Sequence, residues 1–218
     1  MRKRTISGVK GPMNSEEKVI DERMNSRLSV ADVKKDYPKE VILKDGTGVT
    51  LRPLRSGDEN ALFEMFKRFS KDELWFLNHE VLEPGLFKEW VEGLDLNRVF
   101  SIIAVLEGRI ISNAALMVKH FGSKSHIGKV RIAVDPSFRE KRLGTWMLLD
   151  LVNIAMSIGL KMVVMRLVQE RDASLMSAVR KLDFSQEAVL EDYVLDRAGN
   201  PCNLVIMTKR LPMEWDQF

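Results

Sequence analysis

Apolar side chains recur along this chain at two spacings, every second residue in some segments and every third or fourth in others. Alternating or short continuous apolar runs predict strands, whereas the longer spacing predicts helices with one buried face. Strands are predicted at 41–43, 49–54, 99–106, 109–118, 129–134, 162–168, 187–195 and 204–208. Helices are predicted at 56–69, at 72–81, from residue 84 onward, at 145–158 and at 173–182.

Short turn sequences connect several of these strands. Residues 45–48 (DGTG), 107–108 (EG) and 198–201 (AGNP) are typical of tight connections between antiparallel strands. Between strands 129–134 and 162–168 the chain instead runs through a helix, and such a crossover makes the two strands parallel neighbours. The predicted fold class is therefore α/β (α+β): a mixed, mostly antiparallel central sheet with one parallel βαβ pair and helices on both faces.

The first forty residues differ from the rest of the chain. Residues 1–14 are polar and basic, and they are predicted to form a flexible tail. Asn14 and Glu17 have the spacing of a helix capping box. Apolar residues then recur at helical spacing: Ile20, Met24 and Leu28. A short helix laid on the domain and a half-ordered solvated segment both stay open here, and the compact domain is predicted to cover residues 41–218.

Composition narrows the classes of function. Among 218 residues, 34 Lys and Arg stand against 31 Asp and Glu, and the net charge of only +3 argues against a dedicated nucleic-acid-binding protein. The single cysteine, Cys202, excludes a disulfide within the chain, and three histidines argue against a zinc site. No apolar stretch is long enough to cross a bilayer, and no apolar region follows the basic start as it would in a secretory signal. We therefore expect a cytoplasmic protein that uses no metal, nucleic acid or membrane.

The loop that follows the first of the two parallel strands holds the most informative chemistry. A loop at the start of a helix presents backbone N–H groups and the positive end of the helix dipole, and both favour an anion. Arg139, Lys141 and Arg142 surround this loop, Gly144 allows close backbone approach, and Thr145 can cap the helix. This combination suits a multiply charged phosphate ester. An exposed basic loop before an ordinary helix start is the alternative, and the segment alone leaves it open.

The strand and loop together resemble a known family motif. The pattern Ile132-x-Val134-x-Pro136-x-x-Arg139-x-x-x-x-Gly144 resembles the acetyl-CoA signature of the GNAT N-acetyltransferases, which reads Gln/Arg-x-x-Gly-x-Gly/Ala between a strand and a helix. Loop, strand order and downstream helix together identify the chain as a member of this superfamily.

The resemblance covers about residues 48–211. It includes the opening 51–58 (LRPLRSGD) and the segment 172–184, which is similar to the family's Asn-x-x-Ala…Lys-x-Gly-Phe. The opening and the segment 66–75 look most like the Pat-type protein lysine acetyltransferases. The resemblance therefore implies a GNAT-like fold and acetyl-CoA as the acyl donor.

The resemblance also implies roles for individual residues. Backbone groups of Ile132 and Val134, on either side of Ala133, would hydrogen-bond the pantetheine arm where the two parallel strands splay apart. Asp172 occupies the place of a family asparagine that contacts the same arm. Backbone N–H groups of the loop would hold the pyrophosphate, and the residues concerned are Arg139, Glu140, Lys141, Arg142, Leu143, Gly144 and Thr145.

The chain departs from the family pattern at four places. The first motif glycine is Arg142, and the glycine before Phe184 is Asp183. A glutamate that many Pat-type relatives use as base aligns with Lys129, and a tyrosine that often serves as general acid aligns with Val179. Each departure weakens the inference from family fold to working transferase.

Two other residues are candidates for the missing acid–base chemistry. Glu170 follows the strand 162–168 and is a candidate base, acting directly or through water, and Tyr193 is a candidate acid. The alternatives are a solvated glutamate at a helix start and a half-buried strand tyrosine.

Two functional hypotheses follow. The first is an acyl-CoA-dependent N-acyltransferase in which an amine attacks the thioester directly in a ternary complex. Its acceptor is a protein lysine or N-terminus ahead of a small molecule. The second is a GNAT-fold module that binds CoA or a protein partner without catalysis. The sequence leaves a homodimer open.

Overall fold

The structure is a computed structural model, and it describes residues 33–77 and 98–212. Eight strands form one sheet in the order β1-β2-β3-β4-β5-β6-β8-β7. Every neighbouring pair is antiparallel except β5 and β6. The strands are β1 (Lys39–Ile42), β2 (Gly48–Pro53), β3 (Val99–Leu106), β4 (Arg109–Met117), β5 (Ile127–Val134), β6 (Met162–Val168), β7 (Ser185–Leu195) and β8 (Pro201–Arg210). The predicted fold class is confirmed.

The described residues form four α-helices beside the sheet: α1 (Glu59–Phe66), α2 (Lys71–Trp75), α3 (Leu143–Ser157) and α4 (Ala173–Arg180). Short 3₁₀ turns occur at Lys34–Asp36 and Pro136–Phe138. The helix predicted at 72–81 is shorter in the structure, because α2 ends at Trp75 and residues 76–77 form a turn. Residues 78–81, the predicted N-terminal tail with its helix and the helix from residue 84 lie outside the described residues. Within the described ranges, no helix is long and apolar enough to cross a membrane.

The start of α1 differs from the prediction, which placed it at residue 56. The carboxylate of Asp58 accepts two hydrogen bonds from the Arg52 guanidinium, both 2.7 Å long, and a third from the backbone N–H of Arg55 at 3.0 Å. These contacts hold residues 54–58 in a turn, so the helix begins only at Glu59. Burial opposes ionisation of Asp58, but the hydrogen bonds from Arg52 and Arg55 lower the pKa of its carboxyl below the ordinary value.

The sheet buries apolar side chains on both faces. On β3, Ile102 and Ala104 lie in the larger core cluster with α3 and α4, whereas Ile103 lies in a second cluster with α1. Helix α3 contributes most to the larger cluster, through Leu143, Met147, Leu148, Leu151 and Ile154. Each fully buried aliphatic side chain contributes about 1.5–3 kcal/mol. Because α3 is fixed so firmly on the sheet, the position of its first turn is fixed as well.

The segment before β1 packs on the domain. Val33 is buried in the larger core cluster. The Tyr37 hydroxyl donates a hydrogen bond to the buried carboxylate of Asp150 on α3, and Lys39 pairs with the same carboxylate at 2.6 Å. The division at residue 41 stays a prediction, but residues 33–40 contribute contacts to the domain that the pattern of the sequence did not indicate.

Candidate functional site

The two parallel strands separate soon after they meet. β5 and β6 pair only from Ile127 with Met162 to Lys129 with Val164. Beyond that point β5 stays paired with β4 as far as Val134, and β6 stays paired with β8 as far as Val168. The facing edges of the two strands therefore enclose a wedge, in which each strand presents backbone groups that no neighbouring strand satisfies.

The loop that closes the wide end of the wedge is held in shape by Asp135. This carboxylate is almost fully buried, accepts the backbone N–H of Ser137 at 2.9 Å and pairs with the Arg68 guanidinium. Arg68 also donates to the carbonyl of Ile110 on β4. The first turn of the loop is thereby fixed to both the sheet and α1's C-terminal end.

The backbone of the loop then takes an unusual course. Glu140 and Arg142 have φ of 60° and 68°, in the left-handed region, and Arg142 is the N-cap of α3. Left-handed residues in such a loop aim successive N–H groups into one concavity. Within residues 33–77 and 98–212, the N–H groups of residues 140–145 donate to no protein acceptor. Arg139 differs from the expectation, because its N–H contacts the carbonyl of Pro136 at 3.5 Å.

The start of α3 adds its dipole to these donors. The N-cap residue makes no side-chain capping bond, so the first-turn N–H groups are left for an external acceptor. A Cβ built on Gly144 would lie 3.5 Å from the Val134 side chain, which is ordinary contact distance. The protein itself therefore tolerates alanine at this position, and only a larger or charged side chain would intrude on a ligand here.

The three basic side chains of the loop do not converge as expected. The Arg139 guanidinium pairs with Glu73 of α2 and lies 5.4 Å from the Phe69 ring, and Lys141 pairs with Asp45 of the β1–β2 turn at 3.0 Å. The guanidinium of Arg142 alone of the three side chains has no hydrogen-bonding or ionic partner in the described part of the chain. Two cations therefore anchor the loop, and one is left for a bound anion.

The two carboxyl groups that pair with Lys141 and Arg139 have lowered pKa values. The hydrogen bond from Lys141 is the main cause that lowers the pKa of Asp45 to about 2. Burial opposes ionisation of Glu73, but hydrogen bonds from Ser70 and Arg139 lower the pKa of its carboxyl below the ordinary value. Both carboxylates are thus ionised at neutral pH, and the loop is held by full charges on two sides.

The sequence-predicted residues around β6 have structural partners. The Glu170 carboxylate accepts the backbone N–H of Asn203 on β8, at 3.1 and 3.2 Å from its two oxygens. Asp172 accepts the N–H of Val168 at 2.8 Å and pairs with Arg171. Tyr193 lies on β7, which β8 separates from β6, and its side chain is 60% exposed. No hydrogen bond joins Glu170 to Tyr193 among the residues described.

The four departures from the family pattern have clear surroundings. Val179 is buried in the larger core cluster, so no phenol can act from its position. Asp183 and Arg142 both have positive φ, which accounts for glycine at these places in the family. Lys129 lies at the last β5–β6 pair, where the wedge opens.

Several residues that shape the site escaped the sequence analysis. Asp45 and Glu73 are distant in the chain from the cations they hold, and no local pattern indicates such pairs. Arg131 and Arg166 are charged residues inside otherwise apolar strands, and that signal was available in the sequence.

Comparison with known proteins decides the family. A sequence profile described as the Acetyltransferase (GNAT) family matches residues 62–184, more than half of the chain. The chain belongs to the GNAT acetyltransferase family. A search of curated proteins gave no match. Acyl-CoA-dependent N-acetyl transfer is the general activity of this family, and acetyl-CoA is the donor that its members use.

Solved structures share the fold of this GNAT chain. The GNAT domain of S. lividans PAT is 14% identical, with a TM-score of 0.65 over 80% of this chain and 97% of that domain. The ribosomal-protein-S18-alanine N-acetyltransferase from Escherichia coli is 17% identical, with a TM-score of 0.61 over 78% and 98%. A structure of yncA from Salmonella typhimurium with acetyl-CoA is 19% identical, with a TM-score of 0.66 over 77% and 96%. At these identities the likeness concerns the fold.

The site fits an acyl-CoA. A pyrophosphate needs several donors in one concavity, and residues 140–145 provide a run of unused N–H groups at a helix start. An extended arm needs a strand edge whose backbone groups are not paired with another strand, and in the described residues β5 has such an edge beyond Lys129. At its far end the Arg139 guanidinium donates to the Val134 carbonyl at 3.1 Å, so that carbonyl is already occupied.

Proposed function

We propose that this protein is an acyl-CoA-dependent N-acyltransferase that moves an acetyl or another short acyl group to an amine. The observation that carries the proposal is that the unused N–H groups of residues 140–145 adjoin the open end of the β5–β6 wedge. A polyanion bound at the loop would have its extended arm directed along the free edge of β5.

Each part of the site has a task in this proposal. The loop N–H groups and the Arg142 guanidinium hold the phosphates, and backbone groups of Ile132 and Val134 hold the arm. The bound cofactor supplies an acyl group activated as a thioester. Asp172 acts as a positioning residue, since its carboxylate already fixes the N–H at the end of β6.

Direct attack requires a neutral amine and a polarised carbonyl. Backbone N–H groups of β5 that face the wedge are placed to act as an oxyanion hole. We assign the base role to Glu170, directly or through water, and the acid role to Tyr193. The Tyr193 hydroxyl has no hydrogen-bonding partner in the described ranges, which supports its availability. A protein lysine or N-terminus is the preferred acceptor, ahead of a small amine.

A CoA-binding module without catalysis is the second candidate. It is favoured by the burial of Val179 and by a lysine, rather than a carboxylate, at the narrow end of the wedge. It shares the cofactor site with the first candidate and differs only in the absence of transfer.

One experiment separates these candidates. Purified protein is incubated with acetyl-CoA and a pooled panel of peptide and small amines, and released thiol is measured with a thiol reagent. Thermal stability is recorded in parallel with CoA, because a ligand at a hundredfold excess over Kd stabilises the folded state by about 2.7 kcal/mol. Transfer requires both thiol release and a melting shift. A melting shift without thiol release supports the module, and no shift with millimolar acetyl-CoA refutes both.

A further inference from the structure

Three cationic side chains lie on one face of the sheet, at the narrow end of the wedge. Lys129 and Arg131 alternate on β5, so they share a face, and that face is opposite the one on which Val130 enters the larger core cluster. Lys129 is in register with Val164, so Arg166, two residues further along β6, lies on the same face as Arg131 across the opening. We call Lys129, Arg131 and Arg166 the cationic triad.

The triad has no ionic partner in the part of the chain that the structure describes. The acid nearest along the strand ladder is Glu187, which accepts a hydrogen bond at 3.0 Å from Thr208, the β8 partner of Val164. Two strand spacings, about 10 Å, separate Thr208 from Lys129. Burial, together with the charges of Arg131 and Arg166, lowers the pKa of Lys129 below its ordinary value, as expected for cations that face one another without a counter-ion.

The triad lies at the narrow end of the wedge, where the reactive end of the proposed donor would be bound. The loop N–H groups begin beyond Val134, and about 13 Å of β5 separates Val134 from Val130 at 3.3 Å per residue. An arm anchored at the loop and lying along β5 therefore brings its reactive end toward the narrow end of the wedge. The acceptor amine must approach that end, and it does so beside three positive charges.

From this juxtaposition we infer that the acceptor is an acidic peptide, in which Asp or Glu residues flank the amine that receives the acyl group. The inference rests on the proposed function, because it names the substrate class of the same site. A protonated amine alone would be repelled by the triad, whereas neighbouring carboxylates would bring it there. Once bound, the amine would lose its proton more readily among cations, which is the state that attack requires.

The test compares matched peptides and matched variants. Two fluorescent peptides each contain one lysine, flanked in the first by Asp and Glu and in the second by Asn and Gln. Their binding is measured by anisotropy with saturating CoA, and acyl transfer from acetyl-CoA is measured by thiol release. The protein is the full chain as wild type, Arg131→Gln, Arg166→Gln and the control Arg109→Gln, which removes an exposed arginine at the distant β3–β4 hairpin.

We expect the acidic peptide to bind at least tenfold more tightly than the neutral one at low salt. Each triad variant should weaken acidic-peptide binding about three- to tenfold, since exposed charge pairs are modest and screened, and the control should leave it unchanged. Equal binding of the two peptides, or an effect of Arg109→Gln as large as that of Arg131→Gln, overturns the inference. So does a small carboxylate- or phosphate-bearing amine that is acetylated faster than every acidic peptide.

The same data separate this inference from the proposed function. Acidic-peptide preference that depends on the triad, without any thiol release, shows an acidic-peptide binding site but removes the transferase function and, with it, the assignment of the peptide as acceptor. Thiol release with neutral acceptors, and no preference for acidic ones, supports the transferase function and overturns the inference.

Discussion

Replacement of Arg142 by glycine separates two effects that this residue combines. Its φ of 68° lies in the left-handed region, where a residue with a side chain is strained by about 1–2 kcal/mol. Glycine removes that strain but gains about 0.5–1 kcal/mol of unfolded-chain entropy that folding must overcome. The net stabilisation is about 0–1.5 kcal/mol with a midpoint near 0.75 kcal/mol, and the midpoint corresponds to a rise in Tm of about 1.5–3 °C for a domain of this size.

The same substitution is expected to weaken CoA binding. A charge-assisted hydrogen bond between guanidinium and phosphate contributes about 1.5–3 kcal/mol, and the exposed position of Arg142 favours the lower end. The affinity should therefore fall at least about tenfold at low salt, and the loss should shrink at high salt because the pair is screened. The protein thus becomes more stable and binds its cofactor less well.

Two further variants separate the effect of the backbone strain from the effect of the positive charge. Glu140→Gly relieves a similar left-handed φ of 60° without removing a cation, so it should stabilise the fold and leave CoA binding undiminished. Arg142→Gln keeps the strained backbone and removes the charge, so it should weaken binding without a gain in Tm. Titration calorimetry with CoA at two salt concentrations and thermal unfolding supply both readouts. Tighter CoA binding by Arg142→Gly at both salt concentrations would refute a phosphate contact of the guanidinium.

Three other changes test the site and its support. Gly144→Glu should abolish CoA binding in a folded protein. Gly144→Ala should preserve CoA binding in the same titration, because its Cβ would lie at an ordinary contact distance of 3.5 Å. Full CoA affinity in the glutamate variant would mean that the phosphates bind elsewhere. Deletion of residues 1–40 should lower the free energy of unfolding by at least about 2 kcal/mol, because it leaves Asp150 buried without its partners and removes Val33 from the core, while CoA affinity stays within a few-fold. The pKa of Asp45 is lowered to about 2 from an ordinary 3.8. The ion pair of Asp45 therefore contributes its full share of folding stability above pH 3.8, and this share is lost as the pH falls through 2. Acid unfolding of Asp45→Asn should therefore converge with wild type below pH 2, and an unchanged difference there would contradict the pairing.

The elements of the fold follow closely from the sequence because their signals are local. The strand Met162–Val168 was predicted with its observed bounds, since an apolar run interrupted only by Arg166 begins shortly after Gly159, the glycine that ends the preceding helix. Helix α1 was predicted three residues too early, because the apolar spacing does not show that the Asp58 carboxylate holds residues 54–58 in a turn through Arg52 and the Arg55 N–H. Local patterns predict where a segment is buried, but not which distant charge occupies a polar side chain.

In the site, too, local sequence predicted the backbone segment but not the contacts between distant charged residues. The loop motif indicated which backbone surrounds the proposed phosphate site, and the positive φ at Arg142 agrees with the glycine of the family signature at that position. The expectation that Arg139 and Lys141 also face the ligand did not anticipate their pairs with Glu73 and Asp45. Those pairs join the loop to α2 and to the β1–β2 turn, and only the assembled sheet brings the partners together.

The departures from the family pattern at Lys129 and Arg142 both introduce a positive charge. Lys129 is a cation at the position where the resemblance to Pat-type enzymes implies a glutamate, and Arg142 is a cation at the position where the family signature has an uncharged glycine. The two positions lie at opposite ends of the wedge, one beside the loop and one at the last β5–β6 pair. The wedge therefore offers an anion a favourable site at each end, with uncharged strand backbone between. Salt should then weaken the binding of cofactor and acceptor through different residues, so the salt dependence of CoA affinity should respond to Arg142 and that of peptide affinity to Arg131 and Arg166.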